Sequence, residues 1–67
     1  MNSSTSGKDI PRKFAEITCL LEDMHGVAVE GHAPNQSDCF YKVLIKDLET
    51  GCSNIGKTIG SINDELE

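Results

Sequence analysis

The sequence predicts an all-α protein, an antiparallel hairpin of two helices at about residues 10–30 and 37–66. Three observations favour this fold. Apolar residues recur in two long stretches at the alternating spacing of three and four that marks one face of an amphipathic helix. The segment GHAPNQS, residues 31–37, separates the two stretches. The chain has 67 residues, enough for one small domain whose core is marginal unless a partner completes it.

The first helix is predicted from one apolar stripe. Asp9 can cap its amino end, and Pro11 is tolerated because it falls in the first turn. Leu20 and Val27 form a second apolar row beside the stripe, so the apolar surface is wider than one facing helix requires. The stripe itself consists of Ile10, Phe14, Ile17, Leu21, Met24 and Ala28.

The second helix carries the strongest regularity in the chain. Gly31 and Pro34 favour an end to the first helix, and Asn35 or Ser37 can cap the next. Eight apolar or cysteine residues then follow at alternating steps of four and three over nearly four heptads. They are Tyr41, Ile45, Leu48, Cys52, Ile55, Ile59, Ile62 and Leu66.

Three glycines within this pattern leave an alternative fold open. Gly51, Gly56 and Gly60 each cost about 1 kcal/mol relative to alanine in a helix interior. If Gly51 caps one helix and Ser53 starts another, the chain forms a three-helix mini-bundle with a break near Gly51. If the helix continues, the spacing of Gly56 and Gly60 suits the close approach of another helix. The uninterrupted apolar period favours the continuous helix.

The stretch GCSNIGKT, Gly51 to Thr58, fits the phosphate-binding pattern G-x-x-x-x-G-K-[ST]. A phosphate loop needs a buried strand that runs into its first glycine, whereas the residues before Gly51 are polar and helix-patterned. The apolar period also continues through the motif without a slip. Nucleotide binding through Lys57 is therefore the least favoured hypothesis.

The charge distribution defines a second functional hypothesis. A net charge of −5 argues against a general nucleic-acid binder, because such proteins bind phosphate through lysine and arginine. Lys8, Arg12 and Lys13 nevertheless lie close together near the amino terminus. They predict, as an alternative, a small dimeric regulator that binds nucleic acid through this basic patch.

No catalytic residue, cofactor or metal site is expected. Cys19, Cys39 and Cys52 do not form a disulfide framework and are expected to be free thiols. His25 and His32 match no structural zinc spacing with these cysteines.

The organisation of the chain is predicted to be simple. Residues 1–8 are polar and are expected to form a disordered tail, and residues 9–67 a single helical domain. No apolar run of about 18 residues is present, so no membrane span is expected. The amino terminus lacks the apolar core of a secretory signal, which favours a cytoplasmic location.

The predicted lengths of the two helices imply a partner. At 1.5 Å per residue the first helix is about 30 Å long and the second about 45 Å, so the far end of the second stays uncovered. A two-fold homodimer that completes a four-helix bundle is the simplest closure, and a helix of another protein is the alternative. The favoured hypothesis is a non-catalytic helical interaction module, such as a small regulator, adaptor or chaperone-like protein. Its predicted interface consists of Leu20, Val27, Ile55, Ile59, Ile62 and Leu66.

Overall fold

The computed structural model describes the backbone of residues 2–66 and the side chains of residues 9–66. Two helices, α1 (Asn2–Glu30) and α2 (Asp38–Leu66), have 29 residues each and pack against one another as an antiparallel hairpin. No strand occurs among residues 2–66. The predicted all-α hairpin is thus confirmed. Because α2 runs through Gly51 without interruption, the three-helix alternative is wrong.

Helix α1 begins earlier than the sequence pattern indicates. Its backbone is helical from Asn2, over most of the segment for which a disordered tail was predicted. Asp9 lies inside the helix, where its carboxylate pairs with Arg12 at 3.0 Å, and does not cap it. Pro11 also lies inside α1. The polar residues of this segment have only modest helix propensity, and Gly7 lowers it further.

The turn between the helices is closed by its own polar groups. The Gly31 amide donates to two carbonyl oxygens in the last turn of α1, at 3.2 and 3.1 Å, which tightens the helix end. Asn35 has a φ of 63°, a left-handed conformation that asparagine tolerates better than most residues. The Ser37 hydroxyl then accepts a hydrogen bond from the Phe40 amide at 3.1 Å. Ser37 is therefore the amino-terminal cap of α2.

The two helices meet along one row of covered residues, here called the seam. Lys13 lies beside Glu65, Met24 beside Gly51, and Gly31 beside Leu44, so the helices run antiparallel in one constant register. Seam residues are at least partly covered, whereas their neighbours on both helices are mostly exposed. On α1 the seam consists of Ile10, Lys13, Ile17, Leu20, Met24 and Val27. On α2 it consists of Tyr41, Leu44, Leu48, Gly51, Ile55, Thr58, Ile62 and Glu65.

The hairpin is a single layer with little core. Its dimensions are 56 × 15 × 10 Å, and the only apolar side chains exposed by less than a tenth are Leu44 and Ile62, both at 7%, within the described residues. Of the far-end residues expected to be uncovered, Ile59 and Leu66 are exposed at 49% and 68%, whereas Ile62 is buried. Ile62 is buried because α1 reaches this end, where Lys13 contacts Ser61 and Glu65.

Candidate interaction face

The two broad sides of the hairpin differ in chemistry. On one side, a groove of about 410 Å³ near the turn is lined by Ala28 and Ile45 together with seam residues and with Gly31 and His32 of the turn. On the other side, the groove between the helices is lined by Asp23, Asp47, Thr50 and Asn54 together with seam residues. Apart from the turn residues, each of these residues lies one position before or after the seam in its own helix. The seam therefore separates an apolar side from an acidic one.

The apolar side continues from Ile45 to Leu66 on α2 and from Ala28 back to Phe14 on α1, and seven residues before Ile45 its row holds Asp38. Residues seven apart stay on the same side of a helix that packs in a seven-residue register, so the rows that contain Ala28 and Ile45 can be followed in both directions. Phe14 and Leu21 continue the row of α1 and are 57% and 53% exposed. We call the complete set the apolar face. It consists of Phe14, Leu21, Ala28, Ile45, Cys52, Ile59 and Leu66, all exposed.

The seam beneath the apolar face is the more polar of the two surfaces. Its positions include Lys13, Gly51, Thr58 and Glu65, whereas every member of the apolar face is apolar or cysteine. Lys13 fits into the seam because its ammonium donates to the Ser61 hydroxyl at 2.6 Å and pairs with Glu65. The hairpin thus has a second apolar row on each helix that faces solvent, in addition to the one in the seam, and exposed apolar patches are a common feature of interaction sites.

The acidic side carries much of the excess negative charge. The row just before the seam holds three carboxylates on α1 and one on α2, and Lys57 lines the groove beside Glu16. We call the four carboxylates the acidic side: Glu16, Asp23, Glu30 and Asp47. The Glu16 carboxylate lies within hydrogen-bond distance of the Thr58 hydroxyl, at 3.2 Å, a contact between the two helices. This side is therefore hydrated and charged, in contrast to the opposite face.

The closest approach of the two helices occurs at Gly51. This residue is buried, and a Cβ added to it would lie 2.6 Å from Cγ and 2.7 Å from Sδ of Met24. Gly56 and Gly60 have no neighbouring atom within 4 Å of such a Cβ. Gly51 thus has a packing role within the hairpin, and the space beside Gly56 and Gly60 is open.

The predicted interface residues fall into two groups. Ile59 and Leu66 lie on the apolar face and are 49% and 68% exposed. Leu20, Val27, Ile55 and Ile62 lie in the seam, where they contribute to packing within the hairpin.

The inner stripe predicted for α1 is half right, because Ile10, Ile17 and Met24 lie in the seam. Leu20 and Val27 face α2, while Phe14 and Leu21, which were assigned to the inner stripe, point outward. The reason is that Lys13 occupies a seam position through its polar contacts, which a search for the most apolar row does not reveal. The exposed Phe14, Leu21 and Ile45 were absent from the predicted interface.

Two members of the predicted basic patch contact carboxylates. Arg12 pairs with Asp9, and Lys13 pairs with Glu65 in the seam. The side chain of Lys8 lies outside the described residues. Arg12 and Lys13 therefore each have a carboxylate partner, and Arg12 remains largely exposed.

The phosphate-loop match lies entirely within α2. Residues 51–58 are helical, so their amides bond within the helix and do not converge on an anion. Gly51 is buried against Met24, and the Thr58 hydroxyl lies within hydrogen-bond distance of the Glu16 carboxylate and the Asn54 carbonyl, either of which can accept its single proton. The motif's residues therefore have structural contacts of their own.

The cysteines are separate and exposed. Cys19, Cys39 and Cys52 are free thiols, and only Cys52 belongs to the apolar face. No cluster of three or more histidine, cysteine or acidic residues that could hold a metal ion occurs within the described residues.

Comparison with protein families, curated proteins and solved structures finds no match for this chain. Across residues 2–66, no helix combines the length and the hydrophobicity that crossing a bilayer requires. The geometry of the hairpin is therefore the basis for any assignment of function.

Proposed function

We propose that this protein is a non-catalytic helical interaction module, a small regulator, adaptor or chaperone-like protein that acts by helix–helix association through the apolar face. The observation that carries the proposal is the one-sided exposure of seven apolar or cysteine residues at a seven-residue repeat on both helices. A helix that packs against two others buries a stripe of this width. Further helices, from a second copy or from another protein, would complete the bundle.

The thin core of the hairpin supports the same proposal. A layer with two well-buried apolar side chains gains little from burial compared with the conformational entropy lost by ordering some sixty residues. Small domains of this kind reach stability when a partner covers their remaining apolar surface. Association is then part of folding as well as of function.

The chemistry of the cysteines supports a place in the cytoplasm, which we include in the proposal. All three thiols are free and exposed, a state that reducing compartments maintain. Nucleic-acid binding gains no support, because Arg12 and Lys13 contact carboxylates and one broad side of the hairpin is acidic.

The proposal is tested with a matched pair of substitutions on α2. Ile59 and Val43 are β-branched and 49% and 58% exposed, but only Ile59 lies on the apolar face. A fluorescently labelled amphipathic helical peptide with leucine at alternating steps of three and four serves as a probe of helix binding. Ile59→Asp is expected to weaken peptide binding by about tenfold or more, the effect of losing the burial of one large side chain, while Val43→Asp leaves the binding within about twofold of the wild type.

Each result has a clear consequence. Fluorescence anisotropy gives the dissociation constant, and circular dichroism checks that both variants remain helical. Two results would overturn the proposed function. The first is equal peptide binding by the two helical variants. The second is a wild-type protein that binds no peptide at any concentration and whose Cys52 thiol reacts as freely as its Cys19 thiol.

A further inference from the structure

The seam of each helix is made of two parallel rows of residues. The first, which we call the shared row, consists of Ile10, Ile17 and Met24 on α1 and Tyr41, Leu48, Ile55 and Ile62 on α2. The second, which we call the mixed row, borders the acidic side and consists of Lys13, Leu20 and Val27 on α1 and Leu44, Gly51, Thr58 and Glu65 on α2. Steps of three and of four residues lead to opposite sides of a helix position. The shared row therefore lies between the mixed row and the apolar face.

The shared row can form a seam with either of its neighbours. With the mixed row it forms the observed seam, which includes the charged residues Lys13 and Glu65. With the apolar face it would form a seam in which every residue is apolar or cysteine, at the alternating spacing of four and three that is typical of packed helices. The chain thus carries two complete seams, and the structure uses the more polar one.

A few polar contacts hold the mixed row in the observed seam. Lys13 contacts the Ser61 hydroxyl and pairs with Glu65, and the Thr58 hydroxyl lies 3.2 Å from the Glu16 carboxylate. Oε1 of Glu65 is nevertheless buried without a hydrogen-bond partner among the described residues, which opposes its burial. All of these groups would reach water if the mixed row left the seam, so its departure would leave no charge buried.

A small rotation of each helix exchanges one seam for the other. With 3.6 residues per turn, the centres of the two seams lie about 50° apart around each helix. Both rows of the apolar face lie on the same broad side, where Ala28 and Ile45 line one open groove. Rotation of the two helices in opposite senses therefore turns both rows inward together, while the shared row stays between the helices.

The charges and the turn do not oppose this rotation. The acidic side borders the mixed row and moves further from the seam with it. On α1 the row that becomes the new border contains Pro11, Thr18 and His25, which carry little charge at neutral pH. Residues 31–37 lie outside both helices, so the link can follow the rotation without unwinding either helix.

We infer that the hairpin has a second packing state, in which the helices counter-rotate by about 50° and close the apolar face between them. The face is open in the structure described above and covered by its own chain in the second state. The second seam stands independently of the proposed function, whereas its role as a control on access to the apolar face rests on that function. A partner that binds the open face shifts the hairpin towards the open state.

Two neighbouring positions on α2 distinguish the two states. Thr58→Asp places a carboxylate in the observed seam beside Glu16, and the same carboxylate reaches solvent in the second state. Ile59→Asp has the opposite effect, because Ile59 is exposed in the structure and would be enclosed in the second seam. Lys13→Glu is a second variant of the first kind, on α1, since it puts a like charge beside Glu65.

The Cys52 thiol reports which state is present. It lies on the apolar face, whereas Cys19 belongs to none of the three rows, and both are exposed in the structure. Each rate of reaction with a maleimide is measured by peptide mass spectrometry and divided by the rate in urea. Relative to Cys19, we expect Cys52 to react about tenfold or more slowly in Thr58→Asp and Lys13→Glu than in the wild type or Ile59→Asp, since an enclosed thiol reacts only when the seam opens.

The slowing should be the same at every protein concentration, because it arises within one chain, and circular dichroism should show that the variants stay helical. If one of the two variants unfolds, the other decides. Unchanged Cys52 rates in the helical variants, loss of helicity in both, or a slowing that disappears on dilution would overturn the inference. If Cys52 is never enclosed but peptide binding still distinguishes Ile59→Asp from Val43→Asp, the second state is excluded while the interaction module stands.

Discussion

The substitution Gly51→Ala tests the packing of the hairpin at its closest point. A methyl group at Gly51 would lie 2.6 Å from Met24 Cγ and 2.7 Å from Met24 Sδ, well inside the usual contact distance between such atoms of about 3.5–4.0 Å. These atoms lie in the middle of the Met24 side chain, so rotation of its terminal methyl group cannot remove the overlap. Either Met24 adopts another rotamer or the two helices move apart.

Two opposing terms determine the magnitude of the effect. Alanine is favoured over glycine inside a helix by about 1 kcal/mol, while overpacking of a filled site costs about 1–3 kcal/mol. Gly60→Ala is the matched control, since the new Cβ has no atom within 4 Å and only the first term applies. We therefore expect Gly60→Ala to raise the free energy of unfolding by about 1 kcal/mol and Gly51→Ala to lie about 1–3 kcal/mol below it.

Urea denaturation followed by circular dichroism measures both values, with the protein concentration held constant because association contributes to stability. The double variant Met24→Ala/Gly51→Ala completes the comparison: the smaller side chain makes room for the new methyl group, so Gly51→Ala should cost less in the Met24→Ala background. If Gly51→Ala stabilises the protein as much as Gly60→Ala does, the helices do not meet closely at this point and the register described above is wrong.

Three further substitutions test individual contacts by the same assay. Tyr41→Phe removes the hydrogen bond from the Tyr41 hydroxyl to the Ala33 carbonyl, 2.7 Å long, and should cost about 1 kcal/mol; no change would mean that the turn does not depend on it. Ser37→Ala removes the cap of α2 and should also cost about 1 kcal/mol, with Ser37→Asp retaining most of the stability. Lys13→Met leaves the partly buried Glu65 carboxylate without its cation and should lower the free energy of unfolding by about 1–3 kcal/mol. Lys13→Ala should lower it more, because methionine keeps the apolar contacts of the lysine chain. Unchanged stability in both variants would contradict the seam position of Lys13.

The hairpin itself could be predicted because its signals are local. Gly31, Pro34 and Ser37 mark the break between the helices, and each acts through its own backbone or side-chain chemistry. The alternation of three and four identifies a helix even where glycine lowers its propensity. For this reason the continuous second helix was preferred over a break at Gly51, and the structure confirms it.

Which row of each helix faces the other helix, and so forms the seam, could not be predicted in the same way. Leu44 and Ile45 are adjacent and both apolar, so the spacing is satisfied by either row, and the choice depends on what lies across the hairpin. Lys13 was assigned to a basic patch because of its charge, although its long side chain reaches Ser61 and Glu65 from a seam position. Contacts of this kind depend on the register between the helices, which no single helix specifies.

The extent of α1 was missed for a related reason. Propensity and capping rules place a helix start at Asp9 and Pro11, but propensity is a weak guide when no residue forbids a longer helix. The expected association was based on a length difference, but the register places Lys13 beside Glu65, so α1 reaches the far end of α2 without its added residues. The case for association now depends on the outward row of Phe14, Leu21, Ile45 and Ile59, a feature that only the assembled hairpin reveals.

The central claim is tested most directly by sedimentation equilibrium of the unmodified protein. The measurement covers a wide range of concentrations, and helical content is monitored alongside. If the outward apolar face binds a second copy, the mass approaches twice the 7.3 kDa of one chain at high concentration, and helical content falls as the dimer dissociates. A fully helical protein with the mass of one chain at every concentration, and with a Cys52 thiol as reactive as Cys19, would contradict the account, because the apolar face would then be stable in water.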